Sequence, residues 1–372
     1  MKLSIAVLPG DGIGPEVTAQ AKKVLKAIAM EFDHKFTFEE AVVGACAIDK
    51  TGDPLPDDTL KLCKSTDAIL FGAIGDPKYD NDPSAKVRPE QGLLKLRKEL
   101  GLFANIRPVK AYDTLLSKSP LKKHTIEGVD ISIYRELTGG IYFGEKRVSE
   151  DGNTASDLCE YSRFEIERIA HLAFKAARSR KKKVTLVDKA NVLESSRLWR
   201  KVVTEIGAEY PDITLDFLFV DNAAMQMILN PKQFDVILTE NMFGDIISDE
   251  ASVIGGSIGL LASASVGEKY AMFEPIHGSY PQATGKGIAN PIASILSAAM
   301  LLEHFGLFEE ADLIKQGVEK SLKLYIITPD LNSKYDTITT TKVGDFIEDF
   351  ISHPKDTNLN FKNIHLGQST II

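Results

Sequence analysis

Cysteine is scarce in this chain of 372 residues, and its three cysteines follow no disulfide or metal pattern. Cys46, Cys63 and Cys159 lie far apart and form no C-x-x-C pair, which argues against a disulfide framework and a thiolate zinc cage. The sequence also lacks an uninterrupted apolar run of the roughly 18 residues that a membrane span needs. The opening MKLSIAVLPGDG is too short an apolar run for a signal peptide. We therefore expect a protein of a reducing compartment, the cytoplasm, with no membrane partner.

Low-complexity segments and repeats of fixed period are missing as well, so composition marks no domain boundary. Acidic residues outnumber basic ones by 52 to 44, and the resulting charge of −8 disfavours nucleic acid as a partner. A basic run, RSRKKK at 178–183, stands between a helical pattern and a strand, where solvated cations complement a helix C-terminus. With 44% apolar residues, the composition is that of a folded globular protein.

Short apolar runs alternate with helical patterns from the start of the chain. The first run leads into Gly-Asp-Gly-Ile-Gly and a helical pattern from Pro15 to Phe32. The runs that we predict as strands are Leu3–Leu8, Ala68–Ala73, Val184–Val187, Ile213–Val220 and Val236–Thr239. Buried strands between helices predict an α/β fold with a largely parallel sheet covered on both faces. Two further runs, Ile131–Leu137 and Ile141–Phe143, are divided by two glycines, which predicts strands or a hairpin.

Gly10, Gly12 and Gly14 resemble part of a dinucleotide-binding fingerprint, whose glycines let backbone amides approach a phosphate at a helix N-terminus. The third glycine of G-x-G-x-x-G would fall at position 15, where Pro15 stands. This departure favours a tight turn, with the proline in the first helical turn, over a standard Rossmann site.

Two aspartates in N-M-F-G-D-I-I-S-D, Asp245 and Asp249, are four residues apart and share one face of a predicted helix. Like charges at this spacing destabilise a helix unless a positive group lies between them. A divalent cation is the natural candidate, and Asp221 in V-D-N-A-A-M is a candidate third oxygen ligand. The D-x-x-x-D spacing is common, so by itself it does not single out a metal site.

A second cluster lies on one face of another predicted helix, where Glu90, Leu93, Leu94 and Arg97 recur at helical spacing. One interpretation makes the leucines core residues with a charged rim. The other makes this face a pocket wall, in which the leucines contact a branched alkyl group and the arginine binds a carboxylate.

Other polar side chains stand where apolar runs end. Arg107 and Arg135 each end such a run, and with the helix arginine they are candidates to converge on a polyanionic substrate. Lys189 and Asn191 follow a strand directly, where open α/β sheets carry functional side chains. Tyr142 is either a core aromatic or, near a cation, the acid that complements a lysine base. The turn-rich stretch 273–290 is typical of a ligand loop, although its histidine alone is more typical of a structural role.

Six motifs occur in order between Leu3 and about Gly306: LPGDGIGPE, EQGLLKLRKELGLFANIRP, ELTGGIYFGE, VDKANVLESS, NMFGDIISDEAS and EPIHGS…GKGIANP. Together they resemble the isocitrate and isopropylmalate dehydrogenase family, the metal-dependent β-hydroxyacid oxidative decarboxylases. The resemblance implies a two-domain α/β fold with a mixed, mostly parallel sheet, not a standard Rossmann fold. Residues 1–100 and 255–372 would form a first domain with most of the cofactor site. Residues 101–254 would form a second domain, which dimerises and has an arm near 137–160.

The resemblance also implies a substrate. The three arginines would hold the carboxylates of a malate. The paired leucines resemble those of members that act on 3-isopropylmalate, where they contact the isopropyl group. Isocitrate-specific members place polar residues there to meet a third carboxylate. The residues implied to contact the substrate are Glu90, Leu93, Leu94, Arg97, Arg107, Arg135, Asn191, Val192 and Asp221.

The same resemblance implies shared active sites in a homodimer. Asp245 and Asp249, together with Asp221 of the partner subunit, would hold Mg²⁺ or Mn²⁺. Lys189 of the partner subunit would remove the hydroxyl proton, and Tyr142 would protonate the enolate left by loss of CO₂. The implied reaction is oxidation of the 2-hydroxyl followed by decarboxylation, in leucine biosynthesis.

NAD⁺ is the implied cofactor. The residues implied to bind it are Ile13, Asp76, Glu90, Glu274, His277, Gly278, Ser279, Tyr280, Gln282 and Asn290. Many members read S-A-P-D where this chain reads Ser279-Tyr280-Pro281-Gln282. A neutral glutamine can bond the ribose but excludes a 2′-phosphate less strongly than an aspartate does. Asp76 stands where a glycine is usual in the family.

Two alternatives remain at the sequence level. The chain could act on homoisocitrate, tartrate or isocitrate, although an apolar leucine wall would leave an extra carboxylate unpaired. It could also be a non-catalytic binding homologue, although such a protein needs no lysine and tyrosine acid and base pair.

Overall fold

The computed structural model describes residues 1–81, 85–331 and 338–353. The strands are β1 Lys2–Gly10, β2 Lys35–Glu40, β3 Ala68–Ala73, β4 Ala104–Lys110, β5 Asp130–Glu136, β6 Lys146–Val148, β7 Ala155–Asp157, β8 Lys183–Asp188, β9 Thr214–Phe219, β10 Val236–Thr239, β11 Ala262–Val266 and β12 Ala271–Pro275. The helices are α1 Gly14–Glu31, α2 Ala45–Thr51, α3 Asp57–Ser65, α4 Pro77–Asp80, α5 Pro89–Glu99, α6 Lys123–Ile126, α7 Arg163–Arg178, α8 Glu194–Gly207, α9 Val220–Leu229, α10 Asn241–Gly255, α11 Ile292–His304, α12 Phe308–Lys323 and α13 Thr340–Ser352. Within the described ranges, no helix is both long enough and apolar enough to cross a membrane.

Ten of the described strands form one mixed sheet, in the order β2-β1-β3-β12-β11-β4-β5-β10-β8-β9. The antiparallel pairs are β12 with β11, β11 with β4, and β4 with β5. All other neighbours in this order are parallel. The predicted mixed, mostly parallel α/β fold is confirmed. Strands from the two predicted domains occupy opposite halves of the sheet and meet where β11 pairs with β4. The domain boundaries stay a prediction, and residues 82–84, 332–337 and 354–372 of the first domain lie outside the described residues.

The two faces of the sheet are covered differently. Leu70 and Tyr134 belong to one core that spans both halves, whereas their strand neighbours Phe71 and Ile133 belong to two separate, smaller cores. Because successive strand residues point to opposite faces, the two smaller cores lie on the second face, which we call the site face. Polar side chains fill the gap between them.

One sequence expectation is wrong. The first run overlaps β5, which spans Asp130–Glu136, but Ile141–Phe143 is not a strand, because Gly140–Tyr142 forms a short 3₁₀ turn. Gly140 has a φ of +71°, a left-handed conformation that bends the chain away from strand geometry. An exposed two-stranded ribbon of β6 and β7 does form further along, within the predicted arm.

The basic run at 178–183 is held by acidic neighbours. Arg178 pairs with Asp212 at 3.0 Å, and Arg180 pairs with Asp235 at 2.8 Å. These ion pairs place acidic side chains beside part of the basic run.

Candidate active site

The candidate site lies on the site face where β11, β4 and β5 meet. Ser265 pairs in register with Asn105, and Asn105 with Arg135. Paired residues of neighbouring strands share a face, and Arg107 follows Asn105 by two residues. All four side chains therefore point into the gap between the two smaller cores, and all four are buried.

Arg135 connects the sheet to the start of α10. Its Nε and one terminal nitrogen donate to Oδ1 of Asn241 at 3.1 and 2.8 Å, and its other terminal nitrogen forms an ion pair with Asp245. Burial lowers the pKa of Arg135 to about 10, and the positive charge of Arg107 adds to this effect. The guanidinium is still a cation at neutral pH.

Arg107 lies between the two aspartates of α10. Its terminal nitrogens are 3.5 Å from Asp245 and 3.5 Å from Asp249, and it donates to Ser248 at 2.6 Å. Burial raises the pKa of Asp249, and the nearby arginine opposes this effect. The spacing of the aspartates predicts a positive group between them, and in this structure that group is Arg107.

The α5 face predicted from helical spacing is only partly core. Leu93 is half-buried, but Leu94 is 38% exposed and Glu90 is exposed. Arg97 is mostly buried and donates to Oε1 of Glu274 at 2.8 Å. An exposed leucine one turn from a buried arginine fits the pocket-wall interpretation better than the core interpretation.

Tyr142 reaches Asp245 from the 3₁₀ turn Gly140–Tyr142. Its hydroxyl donates to Oδ2 of Asp245 at 3.0 Å. Both glycines before it pack on the ring of Tyr161, and a Cβ on Gly140 would lie 2.3 Å from the Tyr161 hydroxyl oxygen. Burial and then the Asp245 carboxylate raise the pKa of Tyr142, so its phenol stays protonated at neutral pH.

Lys189 and Asp221 form a separate cluster. Lys189 Nζ lies 2.6 Å from Oδ1 of Asp221, and this contact lowers the pKa of the carboxyl. Asn191 and Val192, in the turn after β8, are exposed. Across residues 1–81, 85–331 and 338–353, no hydrogen bond or ion pair joins this cluster to Asp245. The same residues of one chain hold no group of three or more His, Cys, Asp or Glu side chains arranged for a metal ion.

The N-terminus of α10 holds a buried carboxyl, Glu240. Its Oε2 accepts from the thiol of Cys159 at 3.7 Å. Burial raises the pKa of Glu240 to about 7, and the negative charge of Glu136 adds to this effect. Tyr161 also faces this carboxyl. Glu240 therefore titrates within the neutral range while holding the arm segment against α10.

Glu240→Gln is expected to raise the free energy of unfolding by about 3 kcal/mol at pH 8 and by much less at pH 5. The folded-state pKa of about 7 exceeds the ordinary 4.5, so the unfolded chain ionises first. The wild-type protein therefore loses stability as the pH rises from 4.5 to 7, whereas the Glu240→Gln variant does not lose this contribution. Urea unfolding of both proteins at the two pH values measures this difference. An equal difference at both values would contradict it.

The predicted cofactor loop is anchored to the glycine-rich turn after β1. The backbone N–H of Ile13 donates to the carbonyl of Ser279 at 2.8 Å, and a Cβ on Gly12 would lie 2.0 Å from that carbonyl oxygen. Beside the turn, the carboxylate of Asp11 accepts from three backbone N–H groups. Asp76 caps α4 by accepting from the N–H of Lys78 at 2.9 Å, which gives this residue a structural role.

Several predicted cofactor residues have polar atoms ready for a ligand. Nδ1 of the buried His277 pairs with the carbonyl of Gly278 at 3.0 Å, and its buried Nε2 has no partner. Burial lowers the pKa of this imidazole, which keeps it neutral. Gln282 and Tyr280 are exposed, and Tyr280 has a φ of +40°, which is strained for a residue with a side chain. Asn290 is buried and pairs with Asp330 at 3.0 Å.

Sequence reasoning missed Asn105, Ser248 and Asn241, which accept hydrogen bonds from the site arginines. It also missed Tyr161 and Ser265, which bond to Asn241 and Asn105 in turn. Period-two spacing could have found Asn105, which precedes an arginine on the same strand face. Helical spacing could have found Asn241 and Ser248, which are four residues before and three residues after Asp245. No local signal points to Tyr161 or Ser265, which come from distant segments.

Comparison with known proteins adds the following findings. A family model described as isocitrate/isopropylmalate dehydrogenase matches residues 4–347. A 3-isopropylmalate dehydrogenase of Bacteroides fragilis (strain YCH46) is 55% identical over 352 residues, 94% of this chain and 99% of that protein. Another, of Geobacillus kaustophilus, is 56% identical over 342 residues, 91% of this chain and 92% of that protein. The crystal structure of isocitrate dehydrogenase from Methylococcus capsulatus matches with a TM-score of 0.84 and 35% identity, over 94% of this chain and 99% of that one.

Proposed function

The chain belongs to the isocitrate/isopropylmalate dehydrogenase family, and from this membership we propose the following activity. The protein oxidises and decarboxylates (2R,3S)-3-isopropylmalate to 4-methyl-2-oxopentanoate and CO₂, with reduction of NAD⁺, in leucine biosynthesis. The observation that carries the proposal is the convergence of buried Arg107 and Arg135 on Asp245 and Asp249, beside the exposed Leu94.

Substrate binding is assigned to arginines for the carboxylates and to leucines for the alkyl group. The guanidinium groups of Arg97, Arg107 and Arg135 bind the two malate carboxylates, because buried arginines gain most from an anionic partner. Leu93 and Leu94 form the wall for the isopropyl group. Glu90, Asn191, Val192 and Asp221 complete the substrate contacts.

Proton transfer is assigned to two side chains. Mg²⁺ or Mn²⁺, held by Asp245, Asp249 and Asp221 of the partner subunit, supplies charge stabilisation when bound, and NAD⁺ supplies the hydride acceptor. Lys189 of the partner subunit takes the proton of the 2-hydroxyl, directly or through water. The β-carboxyl then leaves as CO₂, and Tyr142 donates its phenolic proton to the carbon that carried it. The carboxylate pair on α10 fits a hard cation, because its donors are all oxygens.

The NAD⁺ site is assigned to Ile13, Asp76, Glu90, Glu274, His277, Gly278, Ser279, Tyr280, Gln282 and Asn290. It is supported by the unpartnered, buried Nε2 of His277, because a buried polar atom without a partner is costly unless a ligand supplies one. It is also supported by Gly75, where a Cβ would lie 3.1 Å from Glu90 and 3.4 Å from the Ser279 hydroxyl, so only glycine leaves this space open.

We also propose a homodimer with two domains per chain. Support for the dimer comes from exposed apolar side chains on the helices that follow β9 and β10, namely Met225, Ile228, Leu229, Ile246 and Val253. In the proposed dimer, the second copy covers these side chains and supplies a Lys189 and an Asp221 to each aspartate pair. Support for the domains comes from the two separate small cores on the site face. A cytoplasmic location is supported by Cys46, Cys63 and Cys159, all of which are free thiols.

NADH formation at 340 nm tests the activity. We expect turnover with 3-isopropylmalate, NAD⁺ and Mn²⁺ that exceeds turnover with isocitrate, homoisocitrate, tartrate or malate, and that EDTA abolishes. Parallel reactions with NADP⁺ measure the effect of Gln282. Turnover of a different acid would move the substrate but keep the family chemistry. Metal binding without turnover of any of these acids would indicate a binding protein instead.

Leu93→Ala and Leu94→Ala should each lower kcat/KM for 3-isopropylmalate by about 10-fold, because each removes apolar contact with the isopropyl group. Turnover of malate, which has no such group, should be nearly unchanged. Steady-state kinetics with both substrates measure the two effects. Equal losses on both substrates would contradict the pocket assignment.

Gly140→Ala is expected to lower kcat by about 10-fold or more, because a Cβ 2.3 Å from the Tyr161 hydroxyl forces the turn that carries Tyr142 to shift. Gly128→Ala is the matched control. Gly128 has a similar φ of +75°, but a Cβ there meets nothing within 4 Å. Both variants carry backbone strain, and only the first should lose activity. Similar kinetics for the two variants would contradict the positioning role of the turn.

A further inference from the structure

A buried polar pair lies where the two halves of the sheet meet. Asn105 on β4 and Ser265 on β11 are paired in register and fully buried. The Nδ2 of Asn105 lies 3.0 Å from the Ser265 hydroxyl oxygen. Elsewhere on this face the halves have separate apolar cores, so this pair is a polar bridge in a place where burial makes unpaired polar groups costly.

The bridge continues on both sides to charged groups. On the β4 side, Arg107 Nε donates to Oδ1 of Asn105 at 2.6 Å. On the β11 side, the Ser265 hydroxyl donates to Oε1 of Glu274 at 3.1 Å. The same Oε1 accepts from Arg97 at 2.8 Å. One buried carboxylate therefore contacts one arginine directly and reaches a second arginine through two neutral side chains.

The chemistry of the side chains fixes the direction of every hydrogen bond in this series. Arginine can only donate, so Asn105 must turn its Oδ1 toward Arg107 and its amide nitrogen toward Ser265. Ser265 then accepts from the amide, and its own proton is left for the carboxylate of Glu274, which can only accept. Asparagine suits this position because it accepts at one end and donates at the other. Aspartate would have no donor for Ser265.

We infer that Asn105 and Ser265 are positioning residues, whose hydrogen bonds hold Arg107 in its substrate-binding orientation by connecting it to Glu274 across the junction. This inference rests on the proposed function, in which Arg107 binds a substrate carboxylate. We call the series of hydrogen bonds from Arg107 through Asn105 and Ser265 to Glu274 the relay. The relay fixes the Nε edge of the Arg107 guanidinium and leaves its terminal nitrogens to face Ser248 and the two aspartates. A preorganised arginine loses less conformational freedom when the carboxylate binds.

Ser265→Ala and Ser263→Ala form a matched pair of variants. Both serines lie on β11, two residues apart and therefore on the same face, and both are buried. Ser263 donates to the backbone carbonyl of Glu274 at 3.0 Å, so it makes a comparable hydrogen bond outside the relay. Each variant loses one buried hydroxyl, and we expect similar decreases in thermal stability.

Only the relay variant should change substrate binding. We expect Ser265→Ala to raise the KM for 3-isopropylmalate by about 10-fold with kcat within about twofold, because the arginine binds ground state and transition state alike. Ser263→Ala should leave both constants within about twofold. Asn105→Asp, which keeps the size of the side chain but reverses one bond, should raise KM further. Titration calorimetry with 3-isopropylmalate and no NAD⁺ should show the same order of dissociation constants.

The outcomes separate the two proposals. A normal wild-type enzyme whose two serine variants have equal KM values would overturn the relay alone. A fall in kcat without a rise in KM would also overturn it. A wild-type protein that neither binds nor oxidises 3-isopropylmalate would overturn the proposed function, and the relay with it. If the asparagine variant does not fold, the comparison of the two serine variants still decides.

Discussion

We expect Lys189→Ala and Asp245→Ala each to lower kcat by about 1000-fold or more, and a mixture of the two inactive proteins to recover about a quarter of the wild-type activity. Each variant lacks a group that the proposed chemistry requires, the base in one and a metal ligand in the other. In one chain Lys189 pairs with Asp221, whereas Asp245 pairs with Arg135 and Tyr142. Recovery on mixing is expected because the proposed active site takes these two groups from different subunits.

The expected recovery follows from random pairing. Equal amounts of two variants give mixed dimers as about half of all dimers. In each mixed dimer one site carries both substitutions and the other carries neither. About half of all dimers are mixed, and each mixed dimer has one intact site out of two. The mixture therefore contains about a quarter of the intact sites of the wild-type protein. Subunit exchange is verified with two affinity tags before activity is measured.

A second mixture provides the control. Asp245→Ala and Asp249→Ala remove two groups that the same subunit contributes, so every site in their mixed dimers lacks one ligand. We expect no recovery for this pair. Equal recovery in both mixtures would show that exchange itself, and not site sharing, restores activity. Absence of recovery for Lys189→Ala with Asp245→Ala, despite verified exchange, would contradict the shared site.

Tyr142→Phe is expected to lower steady-state kcat by about 100-fold or more, because the phenolic proton is the one delivered to carbon after CO₂ is lost. The hydroxyl is in place beside Asp245, and its raised pKa keeps it protonated at neutral pH. Oxidation precedes this step. Rapid mixing should therefore show a burst of about one NADH per site followed by slow turnover.

The control for this variant is Tyr210→Phe. The Tyr210 hydroxyl lies 3.0 Å from Nδ1 of His171, outside the candidate site, so its loss should affect stability and not the burst. The dissociation constant for 3-isopropylmalate should be nearly the same in the wild-type protein and both variants. A Tyr142→Phe enzyme that turns over like the wild type would assign the proton to another group.

The aspartates of α10 illustrate how a correct sequence argument can be incomplete. The four-residue spacing of Asp245 and Asp249 correctly predicts that a positive group lies near both. The structure provides Arg107 and Arg135 for this role from two neighbouring strands. A spacing rule applies within one helix, so it does not register cations that reach the helix from another element.

Local pattern determined much of this protein. Apolar runs between helical patterns were sufficient to predict the α/β fold, and the ordered motifs were sufficient to predict the family. The roles of the arginines, aspartates, lysine and tyrosine stay predictions that the family resemblance implies. These features depend on residues close in sequence, whose periodicity and turn chemistry are set locally.

Only the tertiary structure decided how these residues are held. It replaced the predicted strand at Ile141–Phe143 with a turn packed on Tyr161, and it placed Ser265 beside Asn105 although 160 positions separate them. Strand order brings such residues together, and strand order depends on how the whole chain buries its apolar faces. A single sequence carries no local record of that outcome.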